Sequence, residues 1–234
     1  MNRLLVAIVV IIALSGAGAV QAQEDSGVSL GVKMWVNTWT HDAPGAGTVT
    51  SDAATLFGPT FEARFGERLF LEAAYLVSLN DYDFGNAGVG GFPPPPGTAE
   101  SFSRADTEAL AGVFVAPGVG LLAGYKYSTF EDKAAGVEDR LFGPLIGVRG
   151  IGRIDRNISL YGTLEYLFAE FKQADPTGSL KENSPGWIFE FGLKAIFTQV
   201  VSANFGYKFE TNTGNDSDVT DSFSGLTAGM QVAF

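Results

Sequence analysis

The 234-residue sequence has no cysteine, one histidine and fewer cations than anions, and each shortage excludes a class of protein. Without cysteine, neither a disulfide framework nor a thiolate metal site can form. The 15 Lys and Arg against 26 Asp and Glu give a formal charge of −11, which argues against nucleic acid as a partner. The single histidine, His41, leaves little material for His-based catalysis, so we predict no catalytic residue, no metal site and no cofactor.

Beyond residue 22 the sequence also lacks any long apolar run, although its mean hydropathy is +0.15. Residues 1–22 begin with Arg3, continue with an apolar run from Leu4 to Leu14 and end in small residues at Ala22. This is the layout of a secretory signal peptide, and the run is too short for a membrane-spanning helix of ~20 residues. We therefore predict a cleaved signal peptide over 1–22 and one domain over 23–234.

The hydrophobicity of the predicted domain is distributed with a period of two. One segment alternates apolar Val201, Ala203, Phe205, Tyr207 and Phe209 with Ser202, Asn204, Gly206, Lys208 and Glu210. Successive side chains of a strand point to opposite faces, so such a strand has one apolar face and one face of glycine and charge. A soluble sandwich would place mixed polar residues on its solvent face, and the glycine and opposite charges found here favour a membrane barrel instead.

Ten such segments are separated by connections that alternate between short and long. A tilted membrane-spanning strand needs about 9–11 residues, which each segment provides. Short turns at one end and long loops at the other are typical of outer-membrane barrels. We predict an all-β, transmembrane, antiparallel up-and-down β-barrel of ten strands, with eight or twelve as alternatives. The predicted strands are 28–40, 56–65, 69–81, 103–116, 119–130, 141–151, 158–171, 187–197, 200–210 and 224–234.

If the apolar faces meet lipid, the opposite faces line a lumen that holds equal numbers of cations and anions. Charges on the lipid face would cost about 2–4 kcal/mol each for Lys or Arg at the bilayer centre. We therefore predict a lumen charge network of seven cations and seven anions that fills a narrow lumen. Its members are Lys33, Glu62, Arg64, Glu72, Arg104, Asp106, Glu108, Lys126, Arg149, Glu165, Glu190, Lys194, Lys208 and Glu210.

Turn lengths predict two charge pairs across neighbouring strands. A turn over Thr198 to Val200 would place Glu190 directly opposite Lys208. A turn at Pro117 to Val119 would place Lys126 diagonal to Glu108. Opposite charges at such positions support strand register.

The sequence ends in T-A-G-M-Q-V-A-F, and this ending resembles the C-terminal recognition signal of bacterial outer-membrane β-barrel proteins. Thr227, Gly229, Val232 and Phe234 match the polar residue, the glycine, the spaced hydrophobic residue and the terminal aromatic of that signal. The resemblance implies insertion by the barrel assembly machinery. In architecture the domain resembles the small OmpA- or OmpX-type barrels or porin-like barrels of Gram-negative cell envelopes, with no subfamily fixed.

We expect a bacterial outer-membrane protein, surrounded by outer-membrane lipid, with its long acidic loops extracellular and both termini periplasmic. Three functions stay open: a non-enzymatic barrel with an anchoring or loop-binding role, a small porin-like channel for ions or small solutes, and a lipid-modifying hydrolase or protease. The inventory of side chains favours the first, since a hydrolytic site would have to use His41. We expect no nucleic-acid partner, and we favour a monomer.

Overall fold

The computed structural model describes residues 26–85, 101–132, 137–175 and 178–234, and the regular structure in these ranges is β-strand. Within them, no helix is long and apolar enough to cross a membrane. The predicted signal peptide over 1–22 lies outside the described residues. Ten strands form the barrel: β1 (Ser26–Ala43), β3 (Ala54–Phe65), β4 (Leu69–Ser78), β6 (Ser101–Ala116), β7 (Val119–Asp132), β8 (Val137–Arg153), β9 (Ile158–Leu167), β12 (Gly186–Ile196), β13 (Val201–Thr213) and β14 (Thr220–Ala233).

The barrel is closed by its first and last strands. Every barrel strand pairs antiparallel with two others, in the order β1, β3, β4, β6, β7, β8, β9, β12, β13 and β14, and β14 returns to β1. The closing ladder is long, since it runs from Ser29 opposite Ala233 to Asp42 opposite Thr220. The prediction of a closed ten-stranded antiparallel barrel is confirmed, and the alternatives of eight and twelve strands are wrong.

Four further strands lie at the end of the barrel that carries the long connections, which we call the loop end. They are β2 (Gly47–Thr50), which pairs with β1, β5 (Tyr82–Asp83), which pairs with β6, and the hairpin of β10 (Glu170–Asp175) and β11 (Gly178–Asn183). The opposite end, with tight connections near Gly66, Gly118, Asp155 and Thr198, is called the turn end. The loop end is therefore extended by additional sheet.

The predicted strand 158–171 is interrupted near a proline of the neighbouring strand. The connection that was expected between it and the predicted strand 187–197 is mostly strand and ends at a second proline. Strand β10 continues the register of β9 along β8, because Leu167 lies opposite Leu145 and Glu170 opposite Phe142. The ladder breaks where Phe168 meets Pro144, which has no N–H to donate. Pro185 separates β11 from β12 in the same way. One long hairpin therefore extends from the barrel wall past the loop end.

Side chains alternate strictly between the lumen and the outer surface. On β14, for example, Leu226, Met230 and Val232 are exposed on the outer surface, whereas Phe223 and Thr227 are buried in the lumen. The large apolar side chains exposed on the other barrel strands follow the same alternation. A contiguous apolar surface of this extent is atypical of a protein in water and needs an apolar environment.

A β-bulge between Phe114 and Ala116 shifts the register of β6 and β7 beside their turn. As a result Glu108 lies directly opposite Lys126, and the predicted diagonal placement is wrong. Gly118 closes the turn with a φ of 72°, a left-handed conformation that glycine adopts without strain. The predicted turn over Pro117 to Val119 is also wrong, because Ala116 pairs with Val119 and leaves Pro117 and Gly118 as the turn, and the bulge adds one further residue of shift.

Close packing of the closing ladder gives a testable prediction at Gly225. A Cβ at this position would overlap the backbone of Val36 on the neighbouring strand, so Gly225→Ala should lower the free energy of unfolding by about 1–3 kcal/mol. Gly120→Ala is the matched control, since its Cβ would meet only side chains, at 3.4 Å or more. Urea unfolding in lipid vesicles, followed by the heat-dependent gel shift, measures both; equal stability of the two variants would contradict the described closure.

Candidate functional site: the occluded lumen

Six charged side chains cross the lumen in the loop-end half of the barrel, and we call them the central ion cluster: Arg104, Asp106, Glu108, Lys126, Lys208 and Glu210. Arg104 Nε donates to Asp106 Oδ1 at 2.7 Å, and Arg104 Nη2 donates to Glu210 Oε1 at 2.9 Å. Lys126 Nζ lies 3.0 Å from Glu210 Oε2. The exposed fractions of the Arg104, Lys126 and Glu210 side chains are 0%, 1% and 1%, so water does not reach them.

The second part of the cluster joins Glu108 to two lysines. Lys126 Nζ and Lys208 Nζ each lie 3.9 Å from Glu108 Oε2, and Lys208 Nζ also lies 5.0 Å from the centre of the Trp35 ring. Three cations thus face three anions. Burying charge is tolerated only where each charge is paired, and the cluster meets this condition.

The Arg104–Glu210 bond crosses the full width of the lumen, because it joins opposite walls. Arg104 lies on β6 and Glu210 on β13, and five steps around the ring separate these strands in either direction. The direct bond of 2.9 Å between them divides the lumen at this level. Side chains can fill the interior of barrels of about eight strands, and the same holds for this lumen of ten.

A second barrier, the outer aromatic cluster, lies between the ion cluster and the loop end: Trp39, Tyr82, Phe84, Phe102, Phe130 and Phe223. The ring centres of Phe84, Phe102, Phe130 and Phe223 lie 5.1–5.3 Å from that of Trp39. Phe130 on β7 stacks on Phe223 on β14, again across the full width of the barrel, at 5.6 Å. The Arg104 guanidinium lies 4.0 Å from the Phe223 ring centre, so the aromatic layer shields the ion cluster from water.

The single histidine of the sequence lies in the mouth above the aromatic layer. His41 Nδ1 and Trp39 Nε1 both hydrogen-bond to Asp221 Oδ1, at 2.8 Å and 2.7 Å. His41 is 8% exposed, and its Nε2 is buried with no hydrogen-bond partner. The partner of His41 is thus Asp221, which faces it across the β1–β14 ladder, whereas its sequence neighbour Asp42 is exposed and accepts a hydrogen bond from Thr48.

Three carboxylates share the mouth with His41: Asp132, Asp139 and Asp221. Burial raises the pKa of Asp139 to about 6, and the charges of Asp221 and Asp132 add to the rise, while a hydrogen bond with Gln173 opposes it. Asp139 lies outside the predicted membrane-spanning part of β8, residues 141–151. The mouth therefore carries a carboxyl group that changes charge close to neutral pH.

Ion pairs also connect the walls toward the turn end. Lys33 Nζ donates to Glu190 Oε2 at 2.6 Å, and Tyr161 donates to Glu190 Oε1 at 3.3 Å. Two Arg149 nitrogens donate to the two carboxylate oxygens of Glu72. The Lys33–Glu190 and Arg149–Glu72 pairs join strands that are not neighbours, so they narrow the lumen below the central cluster.

The remaining predicted lumen residues are less closely connected to the others. Arg64 pairs with Glu62 on its own strand at 2.8 Å, and its side chain is 32% exposed at the turn end. Lys194 donates to Gln231 at 3.1 Å. Glu165 is 3% exposed, and its Oε2 has no hydrogen-bond partner. All fourteen positions thus lie on lumen-facing sides of their strands, but only part of them meet in one cluster.

The predicted register of Glu190 and Lys208 is correct, but the expected contact is not the one that forms. The two residues lie directly opposite each other on β12 and β13, while Glu190 binds Lys33 on β1. The inward-facing aromatics were missed altogether. Their signal was available in the sequence, since Trp35 and Trp39 share the period-two face of Lys33.

The residues of the predicted C-terminal signal divide between the two faces of β14. Thr227 is buried and donates to Glu190 Oε1 at 3.4 Å, and Gly229 lies beside Asn204 in the lumen. Val232 and Phe234 are exposed on the outer apolar surface. The Phe234 N–H donates to the Val28 carbonyl at 2.8 Å, so the chain remains paired to its last residue.

Comparisons with known proteins identify the fold. No protein-family model and no curated protein matches the sequence. Among solved structures, the outer membrane protease OmpT from Escherichia coli is similar with a TM-score of 0.60 and 12% identity, over 91% of this chain and 99% of that chain. Neisserial surface protein A has a TM-score of 0.46 and 10% identity, over 88% of this chain and 99% of that chain. The chain therefore has the fold of outer-membrane β-barrel proteins; the likeness to OmpT concerns the fold alone and fixes no subfamily.

The central ion cluster predicts a large loss of stability for Arg104→Met. This change leaves the buried Asp106 and Glu210 carboxylates with Lys126 as the one cation in contact with both, and breaking a buried pair in this way typically costs about 3–5 kcal/mol. Adding Glu210→Gln should recover part of the loss, because it removes the negative charge of one carboxylate that Arg104 contacts in the wild type. Arg64→Met, at a partly exposed pair, is the control and should cost about 1 kcal/mol or less. Urea unfolding in vesicles measures all three, and equal losses for Arg104→Met and Arg64→Met would contradict the cluster.

The raised pKa of Asp139 predicts a pH-dependent gain from Asp139→Asn. The folded state favours the protonated carboxyl, so the wild-type penalty is absent below the ordinary pKa near 3.8 and grows as pH rises through about 6. The variant should therefore be more stable than the wild type by about 1 kcal/mol at pH 7.5, a figure that allows for solvent screening, and by almost nothing at pH 4. Unfolding midpoints at the two pH values test this, with exposed Glu67→Gln as control; a gain that is equal at both would contradict it.

Proposed function

We propose that the protein is an integral outer-membrane barrel with a closed lumen, which anchors and presents the strands and loops of its loop end. The observation that carries this proposal is the Arg104–Glu210 bond between opposite walls. The second barrier, formed by Phe130 stacked on Phe223, supports it independently. A channel would need both contacts to open, and opening the first would separate buried charges.

The proposed placement has the loop end outside the cell and both termini in the periplasm. Its support is the asymmetry of the two ends, since tight turns on one side and long connections on the other are typical of such barrels. The outer surface between the two ends is apolar, as lipid contact requires. Val232 and Phe234 lie together on this surface, where the barrel assembly machinery could contact the C-terminal signal before closure.

The loop end is built as a rigid platform. The Glu182 carboxylate accepts hydrogen bonds from the backbone N–H groups of Asp216 and Ser217 and from the Ser217 hydroxyl. This contact ties the β10–β11 hairpin to the connection between β13 and β14. Loops held in this way present a defined surface to a partner without a large ordering cost on binding. We therefore place the binding role at the loop end.

We propose no enzymatic activity. A hydrolytic site would have to use His41 with Asp221, and the fixed contacts of Asp221 to Trp39 give this pair a structural role in the mouth. Hydrolysis of peptide and phospholipid substrates should therefore be the same for the wild type and His41→Ala. Activity in the wild type that this variant loses, with both proteins folded, would replace the proposal with a hydrolase.

The closed lumen predicts that the folded wild type is electrically silent in planar bilayers. A combined variant, Phe223→Ala with Arg104→Ser and Glu210→Ser, removes both contacts between opposite walls and keeps the net charge. It should show stable unitary conductance steps once the heat-dependent gel shift confirms folding. Unitary steps of similar size from the wild type would contradict closure and establish the channel function.

The placement is testable because the natural sequence contains no cysteine. Ala46→Cys lies in the exposed turn between β1 and β2 at the loop end, and Glu67→Cys lies in the exposed turn between β3 and β4 at the turn end. A membrane-impermeant maleimide applied to intact cells should label the first variant only, and permeabilised cells should allow labelling of both. The reverse pattern in intact cells would show the opposite orientation.

A further inference from the structure

Three cations lie side by side on the outer surface at the loop end, and we call them the rim cation row: Arg140, Lys172 and Lys181. They belong to adjacent strands, since Lys172 lies directly opposite Arg140 on β8 and directly opposite Lys181 on β11. Their side chains are 49%, 45% and 59% exposed. Like charges at directly opposed positions destabilise a sheet, so this row requires a reason.

Two carboxylates contact the cations of the row. Glu138 Oε1 accepts from Arg140 Nε at 2.8 Å. The Glu170 carboxylate is shared, with Oε1 3.0 Å from Lys172 Nζ and Oε2 2.7 Å from Lys181 Nζ. Among the described residues, three cations thus share two contacting carboxylates, and Glu131 on β7, directly opposite Glu138, adds a further exposed carboxylate to the same face.

The row is confined to one sector of the barrel. Among the residues that the structure describes, all other Lys and Arg side chains lie in the lumen or on the turns at the opposite end. At the same height on β1, β13 and β14, the outward-facing positions are largely threonine and serine, such as Thr40, Thr211 and Ser222. The three cations are therefore concentrated where the rest of the rim carries hydroxyl groups.

Aromatic side chains lie immediately below the row on the same outer face. Lys172 Nζ lies 4.7 Å from the centre of the Phe142 ring, two residues from Arg140. Tyr166 packs edge-on against Phe168 at 4.7 Å and against Trp187 at 4.8 Å. Such aromatic groups mark the boundary between hydrocarbon and headgroups. Cations directly above them stand at the level of the headgroups.

We propose that the rim cation row binds a phosphate group of an outer-leaflet lipid headgroup. Arg140 offers a planar guanidinium, and the two lysines offer ammonium groups that can approach the same anion from the neighbouring strands. The acyl chains of the lipid would lie along the aromatic and apolar surface below. This inference rests on the proposed membrane placement, but it does not depend on whether the lumen conducts.

The test uses the folded protein in detergent with a bisphosphorylated glycolipid, lipid A, and with the same glycolipid after enzymatic dephosphorylation. Native mass spectrometry counts the glycolipid molecules retained by each protein. The wild type should retain the phosphorylated form about tenfold more strongly than the dephosphorylated form. Equal retention of the two forms would overturn the proposal, because it would show binding through the acyl chains alone.

Two sets of variants identify the row as the site. The triple variant Arg140→Gln, Lys172→Gln and Lys181→Gln should lose about tenfold in retention of the phosphorylated form. Arg68→Gln with Arg156→Gln, which removes exposed cations at the turn end, should change nothing. If the triple variant fails the gel-shift test for folding, Lys181→Gln alone should still lower retention about threefold. Unchanged retention in a folded variant of the row would overturn the proposal.

The acidic partners distinguish a lipid site from a purely structural row. Glu138→Gln with Glu170→Gln frees the cations and should increase retention of the phosphorylated form several-fold. If the row served only to hold the β10–β11 hairpin, this variant would lower stability and leave lipid retention unchanged, and that result would overturn the proposal. All these measurements are made in detergent, so an inverted orientation or a conducting lumen would appear only in the labelling and conductance experiments.

Discussion

The structure depends on one constraint: the backbone of a sheet surrounded by an apolar medium must satisfy its own hydrogen bonds. The long β1–β14 ladder meets this constraint by removing the last free edge. The closed ring contains ten strands, and this number largely determines the width of the lumen. That width is small enough for an arginine on one wall to reach a glutamate on the opposite wall, as Arg104 and Glu210 do. The contacts across the lumen thus follow from closure combined with long side chains, and they support the proposed occlusion.

Charge in the lumen is tolerated because the layers around it supply partners and exclude water. In the central ion cluster every cation has an anion within 4 Å, and the outer aromatic cluster covers it toward the loop end. Replacing such a cluster by apolar side chains is often neutral for stability, so stability alone does not explain it. Its specific effect is register: strands that are not neighbours are held at matching heights by bonds that a slip of two residues would break. The ladders fix neighbouring strands, and the ion pairs fix opposite ones.

The period-two pattern was sufficient to predict the fold, because neighbouring strands obey local rules. Turn length alone gave the correct register of Glu190 and Lys208. The contacts within the lumen were not predictable in this way, since Glu190 and Lys33 lie on strands that are not neighbours and meet only when the ring is closed. The bulge near Val115 was not predicted either, because a single inserted residue beside a turn does not visibly change the alternation of apolar and polar residues. Trp35 and Trp39 differ from these cases. Their odd-numbered positions on β1 place them on the lumen face with Lys33, but apolar residues were expected only on the lipid face, so they were missed.

Lys and Arg side chains line the lumen along the barrel, whereas at the loop end they also lie on the outer face, and two prolines mark the height at which this change occurs. Pro144 and Pro185 interrupt the ladders at the height where outward-facing aromatics give way to charged residues. Below this level, the described Lys and Arg side chains lie in the lumen or on the exposed turns at the opposite end, and those of the central ion cluster are buried and paired. Above it the β10–β11 hairpin separates from β12 and β13 and carries cations on its outer face, where water and headgroups relax the need for full pairing. Three half-exposed cations can therefore share two carboxylates in the rim cation row, whereas such sharing would be costly in the central ion cluster, and the exposed cations of the row are open to a ligand.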